Sequence, residues 1–333
     1  MSLNLPKVSG LLSGISPLVM GGAVFNTQYN DDPASLAIKE LLLTGLKKGI
    51  NAIDTSPYYG PSEELIGIAL RQLVDVEKVV TRDNYYICTK VGRIRLDEFD
   101  YSPEWVRKSI ARSLKRLNTS YLDVVYLHDI EFVQTDKIYA ALKTMMELKA
   151  QGFIRNVGIS GYPVDFLYKI ACSVKHIPEI GPLDLVLSYS NMCLQNTTLL
   201  DYYDRFIKDT GIKLLNNASI LSMSLLRSQE TRPFHPASKD LKERCNELAK
   251  LLQEKYDVEL AELATRFAFR IWLPKQGRTV LGVSTIPELE SACDQYQTVL
   301  SKKLDSQDAK LDEISQKFLG DYLNETWASG ISH

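Results

Sequence analysis

Eight short runs rich in β-branched and other apolar residues recur along the 333-residue chain at nearly constant intervals. The first seven runs begin about 29 to 37 residues apart, about the length of one strand and one helix. Amphipathic segments with helical spacing fill these intervals, a pattern that is typical of parallel α/β folds. The predicted strands span 16–22, 51–55, 85–91, 122–128, 154–160, 184–190, 213–219 and 279–284.

The number of predicted strands and the chain length fit an α/β fold of the (β/α)8 TIM barrel type, with an extra C-terminal helix near 307–323. The long last interval has room for an excursion around 234–236 and for two helices, at 239–256 and 260–271. An open doubly wound sheet is the alternative, and the absence of a Gly-x-Gly-x-x-Gly motif after the first predicted strand disfavours it. No linker rich in proline, glycine or serine interrupts the chain, so residues 1–333 are predicted to form a single domain.

Composition and charge exclude several classes of function. The 39 basic and 41 acidic residues give a net charge of −2, so no basic excess favours a nucleic-acid partner. No apolar run approaches the roughly 18 residues of a membrane helix, and the first residues lack a signal-peptide pattern. Five scattered cysteines suit reduced thiols, and we therefore expect a cytoplasmic protein. Neither the four histidines nor the cysteines have zinc-site spacing, so no metal is expected.

Ionisable side chains stand at the ends of three successive predicted strands. Asp54 ends the second strand and Tyr59 follows it closely, Lys90 lies at the end of the third, and His128 ends the fourth. Singly, each has an ordinary structural explanation: a loop cap for Asp54, a solvated rim charge for Lys90, a buried structural histidine for His128. Because the carboxyl ends of barrel strands meet at one mouth, their joint placement predicts a shared catalytic pocket.

This set of side chains suits general acid–base chemistry. A tyrosine has an ordinary pKa near 10, and a nearby lysine ammonium lowers it by favouring the phenolate. Asp54 would hold Lys90 charged and oriented, and His128 would hydrogen-bond the reacting oxygen. We therefore predict proton transfer at a carbonyl or hydroxyl oxygen, with a lowered pKa for Tyr59 and no metal.

In order and spacing, Asp54, Tyr59, Lys90 and His128 resemble the catalytic tetrad of the aldo-keto reductase family, and the likeness extends over nearly the whole chain. The resemblance implies a (β/α)8 barrel, a nicotinamide cofactor and hydride transfer without a metal. Tyr59 would be the proton carrier.

Further segments resemble the branch of this family that contains L-galactose, L-fucose and D-arabinose dehydrogenases. This resemblance implies oxidation of C1 of an aldose (D-arabinose, L-fucose or L-galactose) to a lactone, a step toward D-erythroascorbate in the case of D-arabinose. Phe25, Tyr58, His128 and Asp129 are the candidate sugar contacts, and packing at the rim is an equal alternative for Tyr58. The segments that carry the resemblance are 90–93, 128–132, 187–189 and 234–238.

The family's nicotinamide contacts fall on specific positions of this chain. Ser160 matches the serine that bonds the carboxamide, but its usual asparagine neighbour is Gly161 here. Tyr189 falls where the family commonly has glutamine, and Ala218 replaces the aromatic residue that stacks on nicotinamide. The resemblance therefore implies a bound nicotinamide whose contacts differ in part from the family pattern.

The rest of the dinucleotide would lie along the last two strands. NADP-using relatives carry lysine or arginine near the segment 282–288, and this chain has neither there. A carboxylate at Glu288 would accept a hydrogen bond from a ribose 2′-hydroxyl and repel a 2′-phosphate, which predicts NAD as the cofactor. Glu288 has a second explanation as an acid at a helix N-terminus. The expected contacts are Ser219, Leu221, Gly282, Ser284 and Glu288.

Two other functions are compatible with the tetrad. An NADPH-dependent aldehyde or ketone reductase would share it, but would need cations near 282–288. A non-catalytic nicotinamide-binding subunit of the same ancestry can also keep the tetrad.

Overall fold

Eight parallel strands form a closed barrel in the computed structural model, which describes residues 5–275 and 277–333. Each strand pairs with the next along the chain, and the last pairs with the first. The predicted (β/α)8 fold is confirmed, and every predicted strand lies within about two residues of the observed one. The strands are β1 Leu18–Gly21, β2 Ala52–Asp54, β3 Tyr86–Val91, β4 Leu122–His128, β5 Ile154–Gly161, β6 Leu185–Tyr189, β7 Leu214–Ala218 and β8 Arg278–Gly282.

Helices surround the barrel on its outer side. In the described part of the chain they are α1 Ile38–Lys47, α2 Ser62–Arg71, α3 Pro103–Arg116, α4 Thr135–Ala150, α5 Val164–Val174, α6 Thr198–Arg205, α7 Lys239–Tyr256, α8 Leu260–Trp272, α9 Ile286–Leu300 and α10 Asp305–Leu319. The extra C-terminal helix is confirmed as α10, which packs against α7 and α8. No helix within residues 5–275 and 277–333 is long and apolar enough to cross a membrane.

The sequence of β4 shows why these runs become barrel strands. All seven of its residues are buried, because one face fills the barrel interior and the other packs against helices. The helix that precedes it has a capped N-terminus: Ser102 Oγ accepts a hydrogen bond from the Trp105 N–H at 3.2 Å, and Pro103 occupies the first turn.

A short antiparallel hairpin, Arg93–Arg95 with Glu98–Phe99, follows β3 and was not predicted. Gly92 makes the turn into it with a φ of +107°, and a Cβ there would lie 2.2 Å from Cε1 of Tyr101. Only glycine fits this turn. The hairpin therefore holds Arg93 at the same end of the barrel as the predicted site.

The chain after α10 returns across the loops at this end of the barrel. Trp327 stacks on Tyr162, with ring centroids 4.3 Å apart, and lies 5.2 Å from the ring of His235. Ser329 donates a hydrogen bond to Oε1 of the buried Glu131 at 3.0 Å. The C-terminal segment is therefore fixed to the loops that follow β4, β5 and β7.

Candidate active site

Lys90 and Asp54 form a buried ion pair at the carboxyl ends of β3 and β2. Nζ of Lys90 lies 2.5 Å from Oδ1 of Asp54 and donates a second hydrogen bond, of 3.0 Å, to the carbonyl of Thr55. An unpaired buried ammonium would be strongly disfavoured, so the pairing keeps Lys90 charged in this position. The predicted role of Asp54 in orienting Lys90 therefore has a direct geometric basis.

Tyr59 lies directly beside this pair. Nζ of Lys90 is 4.9 Å from the centroid of the Tyr59 ring. The ring is also perpendicular to the imidazole of His128, with centroids 5.7 Å apart. The structure therefore brings Asp54, Tyr59, Lys90 and His128 together at one mouth of the barrel.

The protonation states of Tyr59 and Lys90 differ in part from the prediction. Burial raises the pKa of Tyr59 to about 12, although the Lys90 charge acts to lower it. Burial lowers the pKa of Lys90, but the charges of Asp54 and Tyr59 outweigh it, so that pKa is above its ordinary value. The expectation of a lowered Tyr59 pKa is wrong because desolvation exceeds the effect of the ammonium. At neutral pH Tyr59 is a phenol and Lys90 is an ammonium.

His128 is held neutral. Burial and then the charges of Lys90 and Arg93 bring its pKa well below the ordinary value. Its Nδ1 lies 3.0 Å from Oγ of Ser56, and that Oγ accepts the backbone N–H of Tyr58 at 3.1 Å. The Ser56 hydroxyl is placed to donate to Nδ1, and the imidazole tautomer that accepts this bond carries its proton on Nε2.

The candidate sugar contacts have different environments. Tyr58 is half-buried at the mouth, and its ring centroid lies 5.8 Å from that of His128. Asp129 has Oδ2 3.6 Å from Nε2 of His128. Phe25, by contrast, is only 2% exposed and packs within the apolar core. The structure supports site positions for Tyr58 and Asp129, and gives no support for a sugar contact by Phe25.

The predicted nicotinamide contacts lie at the ends of β5 and β6. Ser160 is buried, and its hydroxyl donates a long hydrogen bond, of 3.4 Å, to the carbonyl of Leu127. A Cβ on Gly161 would lie 2.3 Å from Oε2 of Glu131, so an asparagine there would require the Glu131 carboxyl to move. Tyr189 is half-buried and pairs in register with Ala218 of β7.

The loop after β7 has an unusual backbone. Ser219 has a φ of +58°, and the consecutive residues Ser222, Met223 and Ser224 also have positive φ. Such strain in residues other than glycine is concentrated at ligand sites. Ser219 Oγ accepts the Met223 N–H at 2.8 Å, and Leu221 is half-buried beside it. The predicted pyrophosphate contacts are therefore on a strained loop at the mouth.

Several buried polar atoms near this loop have no hydrogen-bond partner among the described residues. Buried polar groups are normally hydrogen-bonded, so such a cluster fits a polar ligand. Two of the atoms belong to guanidinium groups, which suit an anionic pyrophosphate. The atoms are Oγ of Ser190, Oδ1 of Asn217, Oγ of Ser222, Oγ1 of Thr231 and Nε of Arg227 and Arg232.

Glu288 caps the start of α9. Its Oε2 accepts the backbone N–H of Ser284 at 2.6 Å and of Thr285 at 3.3 Å, while Thr285 Oγ1 accepts the Glu288 N–H. This reciprocal capping box accounts for an acid at this position without a cofactor. Burial and the charge of Arg232 lower the pKa of Arg227, and Tyr29 and then Glu288 oppose them. Gly282, at the end of β8, is exposed.

Comparison with known proteins identifies the family. Residues 17–315 match the model of the Aldo/keto reductase family. The chain belongs to the aldo/keto reductase family. It is 51% identical over 327 residues to D-arabinose 1-dehydrogenase of Saccharomyces cerevisiae, covering 97% of this chain and 96% of that protein. It is 34% identical over 329 residues to L-galactose dehydrogenase of Arabidopsis thaliana, covering 98% and 95%.

A solved structure agrees with the fold of this aldo/keto reductase. An aldo-keto reductase from Bacillus halodurans in its holo form aligns with a TM-score of 0.62 at 20% identity. The alignment covers 86% of this chain and 92% of that one. At this identity the likeness supports the barrel alone.

The tetrad of this aldo/keto reductase can move one proton to or from an oxygen at the mouth. Tyr59 is the only tetrad member whose proton is both acidic enough to exchange and not held by an ion pair. Lys90 supplies a fixed positive charge beside it, and His128 supplies a neutral N–H donor. Sequence reasoning missed Ser56, because a serine two residues after a strand looks like any loop cap.

Proposed function

We propose that this aldo/keto reductase oxidises C1 of an aldose to the lactone, with hydride transfer to NAD. D-Arabinose is the first candidate substrate, and L-fucose and L-galactose are the next. The observation that carries the proposal is the Lys90–Asp54 ion pair held 4.9 Å from the Tyr59 ring, with the neutral His128 opposite. The 51% identity to a D-arabinose 1-dehydrogenase over nearly the whole chain supports an aldose as substrate.

The residues of the tetrad have separate roles in the reaction. In the cyclic sugar, the C1 hydroxyl gives its proton to the Tyr59 oxygen and C1 gives up a hydride, which leaves a C=O bond and hence a lactone. Tyr59 accepts this proton only as a phenolate, and the Lys90 charge stabilises that form. The Nε2–H of His128 holds the C1 oxygen in place. The nicotinamide cofactor, when bound, supplies the hydride acceptor.

Residues at the ends of β5 to β8 would hold that cofactor. Ser160 and Tyr189 would face the nicotinamide. The pyrophosphate would lie against Ser219 and Leu221, where the unpartnered Nε atoms of Arg227 and Arg232 add positive charge. The adenosine end would lie along Gly282, Ser284 and Glu288.

The preference for NAD rests on charge at the adenosine end. Segment 282–288 carries one carboxylate and no cation, and a carboxylate repels a 2′-phosphate. An NADPH-dependent aldehyde or ketone reductase is the second candidate, because the unpartnered Nε atoms of Arg227 and Arg232 supply positive charge on the loop after β7. With D-arabinose as substrate, the lactone product would serve D-erythroascorbate synthesis.

Product analysis tests the reaction type. D-Arabinose labelled with ¹³C at C1 is incubated with the enzyme and NAD⁺, and the C1 resonance is followed by NMR. We expect the lactone carbonyl to appear before any open-chain acid. Appearance of the acid without a preceding lactone would contradict oxidation of the cyclic sugar.

A further inference from the structure

A second buried ion pair lies beside the tetrad and has no part in the proton transfer. Nη1 of Arg93, which enters the hairpin after β3, pairs with Oδ2 of Asp129, the residue that follows β4. The side chains are only 12% and 4% exposed. Burying two charges is costly, and such pairs contribute little net stability. Their position at the mouth therefore points to a use in the site.

Asp129 is fixed with one oxygen unoccupied. Its backbone is in the left-handed region, with a φ of +55°, which is uncommon for residues other than glycine. Arg93 holds Oδ2, and within the described residues no hydrogen bond is made to Oδ1. The carboxylate therefore has an acceptor available for a ligand hydroxyl.

The guanidinium of Arg93 contacts aromatic rings and a backbone carbonyl. Its guanidinium carbon lies 4.1 Å from the centroid of the Tyr58 ring, and Phe99 and Phe132 flank it at 5.4 and 5.6 Å. Nη2 donates a 3.0 Å hydrogen bond to the carbonyl of Leu96. These contacts hold the guanidinium in the orientation in which it pairs with the carboxylate of Asp129.

The distance between Asp129 and His128 locates the ligand group. Oδ2 of Asp129 lies 3.6 Å from Nε2 of His128, the atom that would hold the C1 oxygen of an aldose. Neighbouring hydroxyls of a sugar are separated by about one hydrogen-bond length. With the C1 oxygen on His128, the hydroxyl of C2 therefore comes within reach of the same carboxylate, whose Oδ1 is the oxygen that Arg93 does not hold.

We propose that Asp129, positioned by Arg93, binds the aldose hydroxyl next to the reacting carbon and thereby selects polyhydroxylated substrates over simple aldehydes and deoxy sugars. This inference rests on the proposed function, because it assumes that C1 is the reacting carbon. Asp129 is the substrate contact, and Arg93 acts through it as a positioning residue. A substrate without this hydroxyl leaves Oδ1 of the buried carboxylate without a hydrogen-bond partner, and a site built to bind a hydroxyl discriminates strongly against such an analogue.

A pair of sugars isolates this contact. 2-Deoxy-D-ribose is D-arabinose without its C2 hydroxyl. For the unmodified enzyme we expect kcat/KM for D-arabinose to exceed that for 2-deoxy-D-ribose by about 10- to 100-fold, the effect of one hydrogen bond to a charged group. In Asp129→Asn this preference should fall to less than about fivefold, through loss of activity on D-arabinose alone. Binding of NADH, followed by fluorescence, should not change.

Two further variants complete the experiment: Arg93→Lys tests the positioning role, and Arg95→Met is the control. Arg93→Lys keeps the charge but not the planar fork, so it should lower the preference to an intermediate value. Arg95 lies on the same hairpin with an exposed side chain, and Arg95→Met should keep the full preference. If Asp129→Asn does not fold, Arg93→Lys decides the question. An undiminished preference in a folded Asp129→Asn, or in Arg93→Lys, would overturn the inference. An unmodified enzyme that oxidises neither sugar would instead refute the proposed function.

Discussion

Ser56 Oγ lies 3.0 Å from Nδ1 of His128, a contact that favours the imidazole tautomer with its proton on Nε2. We predict that Ser56→Ala lowers kcat for aldose oxidation about tenfold, because the second tautomer presents no N–H to the C1 oxygen. Steady-state kinetics at fixed saturating NAD⁺ measures the change. Ser56→Thr keeps the hydroxyl and should restore most of the activity. Equal activity in the alanine and threonine variants would show that the contact is structural only.

Tyr59→Phe should remove the proton carrier. We expect kcat to fall by at least about 10²-fold, in the range measured for loss of a general acid–base group. The NADH dissociation constant, measured by fluorescence titration, should change little because the aromatic ring remains. Tyr139→Phe, on the remote helix α4, is the matched control and should behave as the unmodified enzyme. Near-normal turnover in Tyr59→Phe would refute the assignment.

The rate of oxidation should rise with pH. Burial raises the pKa of Tyr59 to about 12, so below that pH the reactive phenolate is a small fraction that grows tenfold with each pH unit. We therefore expect log kcat/KM to rise with a slope near one from pH 7 to 10 when chemistry limits the rate. A pH profile with D-arabinose measures this slope. A plateau that begins near neutrality would mean that another group, or a strongly lowered Tyr59 pKa, governs the reaction.

Glu131 should make the protein less stable as pH rises. Burial, followed by the charge of Asp129, raises the pKa of Glu131 to about 8, whereas in the unfolded chain it is near the ordinary value. Between those two values the folded state binds the extra proton, so the free energy of unfolding falls with rising pH, by up to about 1.4 kcal/mol per unit.

Thermal unfolding at pH 5 and pH 9 measures this contribution. Glu131→Gln has no carboxyl group to ionise at this position, so its free energy of unfolding should fall less between the two pH values than that of the unmodified protein. Glu254→Gln, an exposed acid on α7, is the control and should follow the unmodified protein. Parallel losses in all three proteins would mean that Glu131 does not titrate in this range.

Glu288→Gln separates the two roles of this side chain. Glutamine keeps the capping box at the start of α9 but removes the negative charge. If the carboxylate repels a 2′-phosphate, the ratio of kcat/KM for NAD⁺ over NADP⁺ should fall about tenfold, with an unchanged melting temperature. An unchanged ratio would leave Glu288 as a helix cap alone.

The barrel and the tetrad could be predicted because both depend on local pattern. A run such as 122–128 is apolar throughout because it is buried on both faces, and the residue at its end is delivered to the mouth by the fold itself. The spacing of the strands was therefore enough to predict that Asp54, Lys90 and His128 lie close together. The extra helix α10 follows from its own amphipathic period.

The remaining features depend on contacts between distant residues, which local pattern does not contain. The hydrogen bond from Ser329 to Glu131 joins residues 198 positions apart in the sequence. The raised pKa of Tyr59 reflects its depth of burial, and the core position of Phe25 reflects packing around it. Glu288 was open to two explanations because the same carboxylate can cap a helix and face a ribose.

Initial rates of absorbance change at 340 nm, with purified protein and D-arabinose and with NAD⁺ and NADP⁺ in parallel, test the proposed function most directly. The account predicts turnover with NAD⁺ that is well above turnover with NADP⁺. Absence of oxidation with either cofactor, together with reduction of simple aldehydes by NADPH, would contradict it and assign the tetrad to a carbonyl reductase.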